Sequence, residues 1–411
     1  MENSYLSEFK NRDYFNQCTN SEELEQSMNK KKIRAYIGFD CTAPSLHVGS
    51  LLQIMCLRLL QKHGHQPIIL LGGGTTRIGD PSGKEETRKI LSEKEIEKNI
   101  KNIEKIFKIY LKTSNAKTKP IFVNNYKWLG KLNYIKFLRE IGKHFTINKM
   151  LSFDSVKLRL DREQSLSYME FNYMILQAYD FFELNKNKNC LMQMGGSDQW
   201  GNIVNGVELI KRHSSKQVFG LTTPLITLSS GSKMGKTEKG AVWLDKKLLS
   251  SYDYWQFWRN TDDRDVLRFI KMFTDLTLKK IEEIKNKNIN QLKIILANEC
   301  TKMLHGNNEA KLAEETAKKT FEDRSTGSEL PAVKIKQTQI NQEIDIINLI
   351  LLSKLESSKS EIRRIIKSNG VKINNATIND DKFLIKNNLF DEEKTLRLSL
   401  GKKRHVKVEL N

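Results

Sequence analysis

No apolar run in the sequence approaches the roughly 20 residues that span a bilayer, and the polar opening from Met1 to Asn20 lacks the apolar segment of a signal peptide. These two absences argue against a helical membrane protein and make the cytoplasm the expected compartment. The five cysteines, Cys18, Cys41, Cys56, Cys190 and Cys300, are scattered, odd in number and without CxxC spacing. That pattern disfavours both a zinc site and a disulfide framework, so reduced thiols and no dedicated protein metal site are expected. There is no internal repeat, and the Lys/Asn tracts at 186–189 and 285–290 read as solvated loops.

What is present is length, charge and pattern. At 411 residues the chain exceeds what one hydrophobic core serves, which predicts two or three domains. The net charge of +20 suggests a polyanionic partner such as nucleic acid, although diffuse lysine among abundant Ile and Asn is also what coding bias produces. Residues Lys32 to Asp40 read as a strand, Ser45 to Lys62 as an amphipathic helix and Gln66 to Leu71 as a buried strand. Further strand-like runs at Pro120–Asn124, Cys190–Met194 and Pro224–Leu228 alternate with helical stretches. The expected fold class is α/β, a Rossmann-like parallel sheet covered by helices, with ligands at the strands' carboxyl ends. The catalytic nucleotide-binding domain is expected over 1–245 and a helical domain over 246–325. A linker over 326–342 follows from the lack of apolar periodicity there, and a small domain occupies 343–411.

Four segments carry chemistry. The first strand runs into Cys41-Thr42-Ala43-Pro44-Ser45-Leu46-His47-Val48-Gly49-Ser50. Ser45 is placed to cap the helix, whose first amides and positive dipole suit phosphates; local capping alone is the plainer reading of His47. The second strand ends in Gly72-Gly73-Gly74-Thr75-Thr76-Arg77-Ile78-Gly79-Asp80-Pro81-Ser82-Gly83-Lys84. This is not a P-loop, because Gly79 and Gly83 enclose three residues rather than four and Glu85 follows Lys84. It is not the dinucleotide fingerprint either, because Arg77 stands where the last glycine belongs. Tyr173, Gln177 and Asp180 align on one face of a largely hydrophobic helix, so they face either a polar ligand or internal hydrogen-bond partners. Gly195-Gly196-Ser197-Asp198-Gln199-Trp200-Gly201-Asn202 follows a strand, and Gly231-Ser232-Lys233-Met234-Gly235-Lys236-Thr237 reads as a loop able to close over a triphosphate.

Taken together and in this order, these segments resemble the bacterial tyrosyl-tRNA synthetases, the first and last being similar to the HIGH and KMSKS signatures of class I synthetases. The resemblance implies that Tyr36 and Asp180 bind the tyrosine hydroxyl, while Asp80, Tyr173 and Gln177 hold its ammonium group. It implies that Gly38, Asp40, Gly49, Ser50, Gly196, Asp198 and Gln199 line the ATP site. Thr42 and His47 would act on the γ-phosphate, and Lys84, Arg88, Lys233, Lys236 and Thr237 would stabilise the leaving pyrophosphate. Two departures stand out: Ser50 replaces the second histidine of the signature, and Cys41 stands where the family commonly has proline. The resemblance further implies ATP as a substrate with Mg²⁺ accompanying it, tRNA as partner, and a homodimer.

At the other end of the chain, Ser358-Lys-Ser-Glu361 reads as a capping box. Arg363, Arg364 and Lys367 then lie opposite a row of isoleucines, and Lys402, Lys403 and Arg404 form a basic run. This tail resembles the S4 RNA-binding domain that ends bacterial tyrosyl enzymes, which implies contacts to tRNA; a plain amphipathic helix on a basic protein is the alternative. A tryptophanyl relative and a non-catalytic RNA-binding descendant are the competing functional readings.

Overall fold

The structure, a computed structural model, describes residues 4–80, 91–229, 231, 234–237, 240–321, 330–401 and 404–411. Lys84, Arg88, Lys233, Lys402 and Lys403 lie outside these residues, and for Lys236 and Thr237 only the backbone is described. The chain divides into two compact units, residues 1–245 with 262–292, and residues 246–261 with 293–411.

The first unit is built on a sheet of β1 (Gln17–Cys18), β2 (Arg34–Phe39), β3 (Gln66–Leu71), β4 (Ile121–Asn124), β5 (Cys190–Gly196) and β6 (Phe219–Thr223). Their order is β1-β6-β5-β2-β3-β4, all parallel except β1, which runs antiparallel along β6. β3 is buried at every position from Pro67 to Leu71, as a strand covered on both faces must be. From β2 the chain steps outward to β3 and β4, whereas β5 and β6 lie on its other side. The crevice between β2 and β5 at their carboxyl ends is therefore the switch point where a doubly wound sheet binds ligands.

Three local expectations need correction. The strand placed at Pro224–Leu228 is instead β6, fully buried from Phe219 to Thr223; Pro224, without an N–H to give the ladder, ends it. Ser45 caps nothing, since its hydroxyl donates to the Leu46 carbonyl at 2.9 Å. The helix enters instead through a 3₁₀ turn, Val48–Ser50, whose cap is His47: the Gly49 N–H donates to His47 Nδ1 at 3.0 Å. The helix proper, Leu51–Lys62, is buried on most sides rather than along one stripe, because it is packed by the helices Tyr5–Asn11, Glu93–Tyr110 and Val266–Phe273. The packing of Val266–Phe273 shows why 262–292, expected within a single helical domain, belongs with the first unit. Arg12 ties the same segment down by donating to the carbonyls of Lys271, Thr274 and Leu276 at 2.9, 3.2 and 2.8 Å.

β7 (Lys236–Thr237) and β8 (Gly240–Ala241) form a short antiparallel hairpin in the first unit. In the second unit the helices Ser251–Arg259 and Asn307–Phe321 pack together. A separate core lies under a five-stranded sheet of β9 (Ala332–Ile335), β10 (Val371–Ile373), β11 (Ala376–Thr377), β12 (Thr395–Leu400) and β13 (Arg404–Leu410), in the order β11-β10-β12-β13-β9. β9 runs parallel to β13 from Ala332 beside Lys407 to Ile335 beside Leu410. Residues 332–341 are thus a strand and a short helix, not linker as the sequence suggested. A four-residue edge strand carrying Lys334 is too short to show periodicity. The capping box at Ser358 is only half formed: Ser358 accepts from the Glu361 N–H at 3.4 Å, but the Glu361 carboxylate turns to Arg364 at 2.6 Å.

Candidate active site

A cleft of about 350 Å³ opens at the carboxyl ends of β2 and β5. β2 and the turn after it contribute Tyr36, Gly38, Asp40 and Thr42, and the helix entry contributes Gly49 and Ser50. Tyr173, Gln177 and Asp180 face it from the helix Tyr173–Lys188, while Gly196, Asp198 and Gln199 reach it from the end of β5, and Asp80 lies beside them. Residues far apart in sequence thus converge because β2 and β5 both end at this crevice and the helix Tyr173–Lys188 packs against β5. Cys41 does not line it: the residue is fully buried, its thiol aimed at the Phe39 carbonyl at 3.6 Å, and burial pushes that thiol up to about 12.

The carboxylates are held individually. Asp40 accepts from Thr75 Oγ1 at 2.7 Å and from the Tyr173 hydroxyl at 3.1 Å. Gly72 makes room for this, since a Cβ there would fall 2.3 Å from Asp40 Oδ1. Asp180 accepts from Asn125 Nδ2 at 2.9 Å and from Trp128 Nε1 at 2.7 Å. Asn125 also donates to Thr75 Oγ1 at 3.0 Å and accepts the Gly74 N–H at 2.7 Å, so Thr75 and Asn125 link the two carboxylates. Burial pushes Asp180 up to about 7; the two hydrogen bonds oppose the shift, and Asp40 and Glu183 add to it. Beside it the Tyr36 hydroxyl is buried and, among the described residues, has no hydrogen-bond partner. Burial first and the Asp180 charge second hold that phenol well above its ordinary value, so it is a neutral donor. Leaving such a group unpaired costs roughly 1–3 kcal/mol, which a ligand hydroxyl would relieve.

A second set of hydrogen bonds fixes the amides. Gln199 Nε2 donates to Asp80 at 2.9 Å, and Asn202 Nδ2 donates to the carbonyl oxygens of Gln177 and Gln199 at 3.0 and 3.2 Å. At the helix entry the loop before β7 presses on the first signature. Gly235 has φ +111°, and a Cβ there would meet His47 Nδ1 at 2.8 Å and the Gly49 nitrogen at 2.9 Å. A Cβ on Gly49 would in turn meet the same imidazole at 2.6 Å and the Met234 carbonyl at 3.0 Å. Glycine at both positions therefore lets the two signature segments touch.

Sequence reasoning missed Thr75, Asn125, Trp128 and Asn202. The available signal for Asn125 and Trp128 was position, immediately after the end of β4, where a parallel sheet presents ligand-facing loops. Ser50, the departure from the signature, lines the cleft with Gly49.

A parallel-sheet cleft whose helix-entry signature is covered by the lysine-bearing loop is the architecture of a class I aminoacyl-tRNA synthetase. The chain belongs to that class: the family described as "tRNA synthetases class I (W and Y)" matches residues 28–322. Two of its relatives are tyrosine enzymes. It is 70% identical to the tyrosine–tRNA ligase of Pelagibacter ubique over 99% of this chain and 100% of that protein, and 50% identical to that of Rickettsia rickettsii with the same coverage. Among solved structures it is similar to a C-terminally truncated Aspergillus nidulans mitochondrial tyrosyl-tRNA synthetase, at 30% identity and a TM-score of 0.70 over 78% of this chain and 94% of that one.

Proposed function

We infer that the chain activates L-tyrosine with ATP to tyrosyl-adenylate and pyrophosphate, then transfers the tyrosyl group to the 3′ end of tRNA(Tyr). The observation that carries the amino-acid choice is the unpartnered Tyr36 hydroxyl beside an Asp180 carboxylate fixed by Asn125 and Trp128. A substrate phenol satisfies both, accepting from Tyr36 and donating to Asp180. An indole offers one donor and leaves Tyr36 unpaired, which disfavours tryptophan. Tyrosine-dependent ATP–pyrophosphate exchange tests this reading; exchange supported by tryptophan instead, or by neither amino acid, would overturn it.

The other roles are those that the resemblance to the tyrosyl enzymes implies. Asp80, Tyr173 and Gln177 take the ammonium group, the Tyr173 hydroxyl giving its proton to Asp40 and keeping its oxygen for the substrate. Gly38, Asp40, Gly49, Ser50, Gly196, Asp198 and Gln199 line the ATP end. The tyrosine carboxylate attacks the α-phosphorus in line and pyrophosphate departs, assisted by Thr42 and His47 at the γ-phosphate and by Lys84, Arg88, Lys233, Lys236 and Thr237. A ribose hydroxyl of the tRNA then attacks the tyrosyl carbonyl, releasing AMP. Positioning and charge neutralisation suffice, without a covalent enzyme intermediate. Mg²⁺ would accompany ATP on its phosphates.

The protein works in the cytoplasm as a homodimer. Support for the dimer comes from Tyr134, Ile135, Ile147 and Tyr168, which are 57, 70, 60 and 68% exposed within one stretch of the first unit. The C-terminal sheet and helices form an S4-like module. Arg363, Arg364 and Arg404 there pair with Asp381, Glu361 and Glu356 at 3.2, 2.6 and 3.2 Å. Such surface pairs contribute little, so tRNA phosphates can take the carboxylates' place, with Lys367, Lys402 and Lys403 adding charge.

Two results are expected. The ionised Asp180 accepts the substrate phenol's hydrogen bond more strongly than the protonated acid does, so tyrosine affinity, measured by calorimetry, should rise as pH passes upward through about 7. Asp40 and Glu183 are the acidic neighbours that raise this midpoint, and a flat profile would remove Asp180 as the titrating group. Separately, a chain ending at Phe321 removes β9–β13 as a whole, whereas a cut near Asn341 would strand β9 without its partner. The Phe321 truncation should retain pyrophosphate exchange but charge tRNA poorly. Its salt dependence should be shallower by roughly one unit of slope for every tRNA phosphate that the module would otherwise neutralise. Charging at subsaturating tRNA equal to the full chain would show that this module does not bind tRNA.

A further inference from the structure

Arg77, the residue that breaks the dinucleotide fingerprint after β3, is not among those that line the cleft. Its guanidinium lies 3.9 Å from the centroid of the Tyr126 ring, a cation stacked on an aromatic face. Nη1 donates to the Gly73 carbonyl. A third contact, from Nη2 to Glu93 at 3.3 Å, reaches a side chain that is 76% exposed and contributes little. The guanidinium therefore joins the glycine turn after β3 to the turn after β4. These two turns are closely fitted. A Cβ on Gly73 would fall 2.3 Å from Asn124 Oδ1, and one on Gly74 would fall 2.9 Å from Leu129 Cδ1.

Tyr126 opens the short helix Tyr126–Leu129, and its N–H donates to Asn124 Oδ1 at 2.9 Å. Gly130 packs on its ring, since a Cβ there would meet ring carbon Cε2 at 2.9 Å. In sequence the ring stands between Asn125 and Trp128, the two donors that hold Asp180. It is itself 43% exposed, so its own burial does little to fix the turn, and the Arg77 guanidinium supplies a contact on that side. We propose that Arg77 is a positioning residue for amino-acid selection: stacked on Tyr126 and bonded to Gly73, it holds the turn that presents Asn125 and Trp128 to Asp180, and through them sharpens the choice of a phenol over a phenyl ring. This rests on the tyrosine reading of the cleft. Without the clamp the turn loosens, and the complex with tyrosine loses an oriented acceptor. Phenylalanine makes no bond to Asp180 and loses less. Both amino acids carry the same ammonium and carboxylate groups, so damage at Asp80 or a general loosening of the fold lowers their two kcat/KM values together and leaves the ratio alone.

The test is the ratio of kcat/KM for tyrosine over phenylalanine in pyrophosphate exchange, measured on the full chain as parent, Arg77→Met, Arg77→Lys, Tyr126→Leu, Tyr126→Phe and the double variant Arg77→Met/Tyr126→Leu. The ratio should fall roughly two- to fivefold in Arg77→Met and in Tyr126→Leu, as loss of one partly exposed cation–π contact does, and no further in the double variant. Tyr126→Phe keeps the ring and Arg77→Lys keeps a cation, so both should hold most of the parental ratio. A parental ratio in Arg77→Met and Tyr126→Leu, with both amino acids losing equally, would reduce Arg77 to a structural residue and overturn the proposal. So would additive losses in the double variant, since the two side chains would then act by separate routes. Hydrogen exchange of the backbone amides of residues 124–130 in the ligand-free protein reads the clamp without any substrate. Exchange there should quicken in Arg77→Met and in Tyr126→Leu, and parental protection in both would overturn the proposal whatever the enzyme's substrate. Absence of tyrosine-dependent pyrophosphate exchange in the parent would instead sink the tyrosine reading on which the selection role rests.

Discussion

Tyr36→Phe is expected to bring the kcat/KM values for tyrosine and phenylalanine much closer together while leaving the free protein at least as stable as its parent. The Tyr36 hydroxyl is buried and has no partner among the described residues, so removing it relieves an unpaired donor in the free protein and leaves the substrate oxygen without one in the tyrosine complex. Tyrosyl-tRNA synthetases reject phenylalanine by on the order of 10⁵, a magnitude that belongs to the family and not to these distances. Asp180→Ala should reduce discrimination further, because it removes the acceptor that Asn125 and Trp128 hold in place. It should also destabilise the protein by leaving those two donors unpaired, roughly 1–3 kcal/mol each. Competition assays with both amino acids read the first effect and thermal melts the second. An unchanged kcat/KM ratio in Tyr36→Phe would remove that residue from hydroxyl recognition.

Lys236→Ala is expected to slow adenylate formation by roughly 30- to 1000-fold, the effect of removing one charged interaction made only in the transition state, about 2–4 kcal/mol. Tyrosine binding should be nearly unchanged, because the Met234–Gly235 segment that leads into Lys236 seats against His47 and Gly49 rather than against Tyr36 or Asp180. Lys233→Ala should behave in the same way. Single-turnover activation with rapid quenching distinguishes this from a binding defect, and a parental rate in either variant would count against that lysine.

The signatures were legible in the sequence because their chemistry is local. Thr42 to Ser50, Gly195 to Asn202 and Gly231 to Thr237 each carry glycines and polar residues at spacings that suit a strand end or a loop. The spacing of Tyr173, Gln177 and Asp180 likewise placed them on one helix face, and all three line the cleft. Asn125 and Trp128 gave no such signal, since a single Asn and a single Trp after a short strand are compatible with any loop. Their meaning comes from the Asp180 oxygens, which lie more than fifty residues away in sequence.

By itself the sequence determined that β2 and β3 would be strands with a helix between them, that Tyr173, Gln177 and Asp180 would share one helix face, and that the chain's end would carry a basic helix face. Each of these depends on periodicity or on a few neighbouring residues. Only the tertiary structure decided where the helix entry begins, that β6 ends before Pro224, that β9 joins the C-terminal sheet, and that 262–292 packs on the first unit. The physical reason is that strand pairing and burial are satisfied between segments distant along the chain. A short edge strand or a lone buried amide therefore has no pattern of its own, and its partner fixes what it does.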